Sequence, residues 1–83
     1  MQFPLRDMRI YLGGHLNFYH PKKEKWLEIG IDQPSPLVDV LKFANIPLGE
    51  VHLVVLNDEN VDWQDLIVTQ NDEVKLFSAV GGG

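Results

Sequence analysis

The chain contains no cysteine. Disulfide bridges, a thiolate zinc site and a cysteine nucleophile are excluded. A reducing compartment fits, and the cytosol (a cytoplasmic location) is expected. No apolar run approaches the roughly 20 residues needed to cross a bilayer. The first residues show no charged-then-apolar leader pattern. Basic residues are scarce: seven Lys and Arg face twelve Asp and Glu, giving a net charge of −5 and a pI near 4.9. Nucleic-acid affinity comes largely from clustered Lys and Arg. The one basic cluster, Lys22-Lys23-Glu24-Lys25, is interrupted by a glutamate and reads as a solvated hairpin tip. Neither nucleic acid nor a membrane is an expected partner. There is no GxxxxGK phosphate loop, so the chain is not expected to bind ATP by itself.

What remains is an ordinary globular composition in a short chain. Its 83 residues allow one domain, spanning 1–83. The core of so small a domain is thin. Met1 to Asp7, with Pro4, is a lead-in. Met8, Ile10 and Leu12 alternate with Arg9 and Tyr11 and predict a strand, which Gly13-Gly14 ends. His15 to Lys25 is too long for a tight turn. Leu27, Ile29 and Ile31 alternate with Glu28 and Gly30 in a second strand starting near Trp26, so an antiparallel hairpin is expected.

Pro34-Ser35-Pro36 then signals a helix, with Ser35 as N-cap and Pro36 at the first helical position. Leu37, Val40, Leu41 and Ala44 make one apolar stripe over about three turns. Asn45 suits a left-handed end and Pro47 prevents continuation. Val51 to Leu56 is a third strand whose continuous apolar run suggests a central position. Asn57 to Asn60 is a turn, and Val61 to Leu66 a short strand or helical turn around Trp63. Hairpin, helix, strand, irregular crossing and strand make a two-layer α+β domain. The usual crossover handedness puts the last strand beside the first and parallel to it. That is the β-grasp (ubiquitin-like) arrangement: a mixed four- to five-stranded sheet with one helix packed on one face.

The last stretch, Asn71 to Gly83, holds the strongest functional signal. Val74, Leu76 and Ser78 point one way and Lys75, Phe77 and Ala79 the other. Val80 and Gly81-Gly82-Gly83 follow. Those glycines carry no side chain, so only backbone and the Gly83 carboxylate are left to act. A flexible tail of this kind can enter a channel too narrow for side chains. Opposite the helix, Tyr11, Val54, Leu56 and Phe77 are expected to form a partner surface, because they take the alternate parity. Elsewhere, His15, His20 and His52 do not suggest the three or four convergent ligands of a metal site, and no metal is expected. The acids Asp58, Glu59, Asp62 and Asp65 lack the glycine and terminal glutamate of a calcium loop. Trp26 and Trp63 read as core or core-edge.

The segments Ile10-Tyr11-Leu12-Gly13, Leu37 to Pro47 (LVDVLKFANIP), Val51 to Asn57 (VHLVVLN) and Asn71 to Gly83, taken in order, resemble the ThiS/MoaD family of ubiquitin-like sulfur carriers. The resemblance implies that Gly83 is adenylated and then carries sulfur as a thiocarboxylate, with Gly81 and Gly82 as the access path. Such a chain is not itself an enzyme. It binds no cofactor of its own, and ATP and Mg enter through the activating enzyme. The implied partners are an E1-like adenylyltransferase of the MoeB/ThiF type and a sulfur-acceptor synthase, either the large subunit of molybdopterin synthase or a thiazole synthase. Two departures bear on the pathway. The usual Asn-Gly after the third strand is Asn57-Asp58 here. The Pro-Pro pair common before the tail of molybdopterin-synthase small subunits is Ser78-Ala79. The alternative is a non-reactive ubiquitin-like interaction module.

Overall fold

The structure, a computed structural model, describes residues 7–79. Strand β1 (Met8–Gly13) pairs antiparallel with β2 (Trp26–Ile29), joined by a loop with a 3-10 turn at Leu16–Tyr19. The loop is long because it buries something: Leu16 is fully inside. A two-residue bridge, β3 (Ser35–Pro36), leads into helix α1 (Leu37–Phe43). A 3-10 turn at Leu48–Glu50 then feeds β4 (Val51–Leu56), followed by β5 (Glu59–Val61), β6 (Ile67–Val68) and β7 (Glu73–Ser78). The main sheet has the order β2-β1-β7-β4-β5. β7 lies in its centre, parallel to β1 and antiparallel to β4. This five-stranded mixed sheet under one helix is the expected α+β, β-grasp architecture.

The helix differs from its sequence reading at its start. Pro36, not Ser35, is the N-cap, and no side chain caps the end. Ser35 and Pro36 instead bridge to Val68 and Ile67, and the Ser35 hydroxyl donates to the Gln33 carbonyl at 3.0 Å. The cap is not missed, because the Leu66 carbonyl accepts the Leu37 N–H at 2.9 Å and so satisfies a donor that a helix start leaves open. The helix is also shorter than expected, seven residues or about two turns. Its end follows the sequence. Asn45 takes φ +62°, its N–H bonds to the Lys42 carbonyl, and the Ile46 N–H bonds to the Leu41 carbonyl. This is the paired closure of a Schellman motif.

Leu37, Val40 and Leu41 meet Met8, Ile10, Leu12, Ile29, Val54, Val74 and Leu76 in one buried cluster, with Leu16, Ile46, Val51 and Val68 completing it. Ala44 and Leu27 pack at its margin. The expected inward positions of β4, Leu53 and Val55, are not there. The register of β4 on β7 shifts between Val51 and Leu53, and the extra residue, His52, turns the strand over. Val51 and Val54 therefore both point inward, three positions apart. The run Leu53-Val54-Val55-Leu56 has no alternation of its own to reveal this. The turn after β4 holds two residues. Asn57 (φ +48°) and Asp58 (φ +72°) fill the left-handed positions usually given to glycine.

Candidate functional site

β7 carries the chain from the turn closed by the Asp72 N–H on the Thr69 carbonyl to Ser78. At its beginning, Asn57 fixes it on both sides. The Asn57 side-chain oxygen accepts the Glu73 N–H and its amide donates to Asp72, each at 2.9 Å. Along its length Val74, Leu76 and Ser78 are buried while Lys75 and Phe77 are half-buried. The expected alternation therefore holds up to Ala79, which is exposed. Gly81, Gly82 and Gly83 lie outside the described residues, as do Val80 and the lead-in residues Met1 to Arg6.

Two neighbouring glycines seat the end of β7. A Cβ on Gly13 would lie 2.6 Å from Phe77 Cδ1 and 2.8 Å from the Leu76 carbonyl oxygen. Only a residue without a side chain lets Phe77 lie across β1 there. Gly14 has φ +64°, and a Cβ on it would collide with Ser78 Oγ. Ser78 is 3% exposed. Its hydroxyl meets the His15 N–H at 3.1 Å and His15 Nδ1 at 3.2 Å. On the far side of the ring, His15 Nε2 lies 3.1 Å from Glu50 Oε1.

The sheet face away from the helix bears a row of large side chains across four strands. Tyr11 meets Trp26 edge-on, with ring centroids 5.1 Å apart, and Phe77 at 6.1 Å. Leu53, paired with Phe77 in the register, extends the row onto β4. Arg9 lies 4.2 Å over the Trp26 ring and pairs with Glu73 at 3.4 Å. Lys75 stands beside Val55 on the same face. Tyr11 and Phe77 are where the sequence put them. Val54 and Leu56 are not. Val54 is fully buried opposite Leu76, and Leu56 packs against the core opposite Val74. The bulge at His52 gives their places to Leu53 and Val55. Trp26 is likewise on the open face rather than in the core, whereas Trp63 does lie at the core edge.

Sequence reasoning did not find the grouping of Ser78, His15 and Glu50. Its only trace was the Gly13-Gly14 pair, which reads as the end of a strand. The other histidines stand apart. His20 accepts the Lys22 N–H through Nδ1 at 2.8 Å, and His52 is exposed at the bulge.

A family model described as the ThiS family matches residues 18–83. The matched span runs from the 3-10 turn of the first loop to Gly83 and leaves out β1. No curated protein and no solved structure matches the chain.

Proposed function

Since the chain belongs to the ThiS family, whose members are small sulfur carriers rather than enzymes, we propose that Gly83 is the residue that bears the sulfur. The match of the family model through to that glycine carries the reading. The chemistry explains why a carrier needs a partner. A carboxylate is a poor acyl donor, because its charge repels nucleophiles and its leaving group is oxide. An oxygen of the Gly83 carboxylate attacks the α-phosphorus of ATP, the bond to pyrophosphate breaks, and an acyl adenylate forms. Hydrosulfide, or a donor equivalent to it, then attacks the acyl carbon. The carbon–oxygen bond to AMP breaks, AMP leaves, and a thiocarboxylate remains with loss of one proton. The chain has no cysteine to hold a sulfur donor and no phosphate loop of the GxxxxGK type. Both tasks belong to an E1-like adenylating enzyme, which supplies ATP and Mg. A sulfur-acceptor synthase consumes the product.

The open face of the sheet supports this division of labour. Trp26, Tyr11, Phe77 and Leu53 form an apolar strip beside the strand that ends at the tail. Ordering a glycine tail costs about 1–2 kcal/mol per residue, so docking of the folded face must supply most of the affinity. The destination of the sulfur, molybdopterin or the thiamin thiazole, is left open between the two synthases. Ser78-Ala79 in place of a Pro-Pro pair favours the thiazole route. Intact mass tests the proposal. Incubation with ATP, a cognate activating enzyme and a sulfide source is expected to add about 16 Da, one oxygen exchanged for one sulfur. An unchanged mass beside an activating enzyme shown to be active on another carrier would refute it and favour the non-reactive module.

A further inference from the structure

We infer that His15, Glu50 and Ser78 form a clamp that sets the direction in which the chain leaves β7, and that they are positioning residues for the activation of Gly83. The inference rests on the sulfur-carrier reading. Among the described residues Ser78 is the one polar side chain that is buried. A buried hydroxyl is costly unless it is hydrogen-bonded, and Ser78 finds its partners on a single residue, through the His15 backbone N–H and ring Nδ1.

The other ring nitrogen fixes the proton positions. A carboxylate only accepts, so His15 Nε2 must donate to Glu50. In the neutral ring Nδ1 is then an acceptor, and the Ser78 hydroxyl donates to it. The same oxygen accepts the His15 backbone N–H. One tautomer satisfies all three contacts.

These contacts draw together three segments: the loop after β1, the 3-10 turn before β4, and the last residue of β7. Ser78 also pairs with Val51, the residue after Glu50. Gly14, with φ +64° and no room for a Cβ beside Ser78, allows the approach. The histidine and glutamate side chains are 60% and 42% exposed. Surface pairs of this kind add little to stability, so the fold does not depend on them. Their place does give them leverage. The five residues from Ala79 to Gly83 can reach about 17 Å when extended, so once a partner holds the tail extended, a change of about 10° in direction at its root displaces the far end by about 3 Å. That is as large as the separation of about 3–3.5 Å at which reacting atoms must meet.

Pyrophosphate exchange by the cognate activating enzyme tests the clamp. His15→Ala and Ser78→Ala are expected to lower kcat about tenfold while KM for the carrier stays within about twofold. Glu50→Gln, which keeps an acceptor oxygen, should restore most of the rate that Glu50→Ala loses. His15→Ala and Glu50→Gln alter exposed side chains, so they remain usable if Ser78→Ala unfolds. Wild-type kcat in His15→Ala, or a loss confined to KM, would overturn the assignment. A second readout needs no turnover. A long-range 1H–15N spectrum of the free wild-type protein, taken with the His15 ring in its neutral form, should show the proton of His15 on Nε2. A proton on Nδ1 refutes the clamp. Absence of exchange in the wild type would count against the carrier reading alone, and the spectrum would still decide the clamp.

Discussion

Leu41→Ala tests the packing on which the rest of the fold depends. Leu41 is fully buried and, with Leu37 and Val40, supplies the buried face of a helix only seven residues long. Removing Cγ and both Cδ atoms forfeits about 2.5 kcal/mol, at roughly 0.8 kcal/mol for each buried carbon. The cavity left behind adds to this, and measured Leu→Ala changes run to about 2–5 kcal/mol. About 3 kcal/mol is expected here, because a short helix on one sheet can settle partly into the gap. The backbone bond from the Ile46 N–H to the Leu41 carbonyl survives the substitution, so the loss reports side-chain packing. A chain of 83 residues has a total stability of about 4–12 kcal/mol. In a urea titration with a slope near 1 kcal/mol/M, the midpoint should fall by about 3 M at constant slope. A loss below about 1 kcal/mol would refute the placement of the helix on the sheet.

Asn45→Ala should lower stability by about 1 kcal/mol in the same titration, since alanine gains nothing from a left-handed φ that costs L-residues roughly 1–2 kcal/mol; Asn45→Gly should not. Phe77→Ala should weaken binding to the activating enzyme by about 2 kcal/mol in calorimetry, as loss of an interface anchor does, and should cost less than that in folding; equal binding would remove Phe77 from the interface. Gly82→Val places a branched side chain in the proposed access path. It should abolish most pyrophosphate exchange (about 100-fold, from misplacement at the reacting atoms) with unchanged thermal unfolding, and a wild-type rate would end the argument for Gly83 chemistry.

The parts of this fold written locally in the sequence were legible. Periods of two marked β1, β2 and β7, and Asn45 before Pro47 marked the helix end. The parallel pairing of β1 with β7 followed from crossover handedness. What was not legible depended on partners distant in sequence. Ser35 looks like a cap, but the Leu66 carbonyl takes the Leu37 N–H, and no local pattern announces an acceptor 29 positions away (Leu37 to Leu66). The parity of β4 hid in the unbroken run Leu53 to Leu56, because a bulge is visible only against the partner strand. Leu16 lies in a stretch of mixed polarity, and only the closure of the loop over the sheet buries it. Ser78 and His15 are 63 positions apart, so neither residue predicts the other.

The parity of β7 separates anchoring from docking along a single strand. Val74, Leu76 and Ser78 face inward and hold the strand between β1 and β4, while Lys75 and Phe77 face outward beside Tyr11, Leu53 and Val55. Gly13 and Gly14 serve one function each, the first admitting the Phe77 ring and the second the Ser78 hydroxyl. A side chain at Gly13 would therefore disturb the outward surface, and one at Gly14 the inward seat. An enzyme that grips the outward residues has the central strand of the sheet as its handle, and the tail root is fixed to that strand within two residues of Phe77. On the proposed reading, partner docking and tail direction are tied to one strand. A carrier that reacts through Gly83 needs that coupling, because the glycines before its carboxylate have no side chains to guide it.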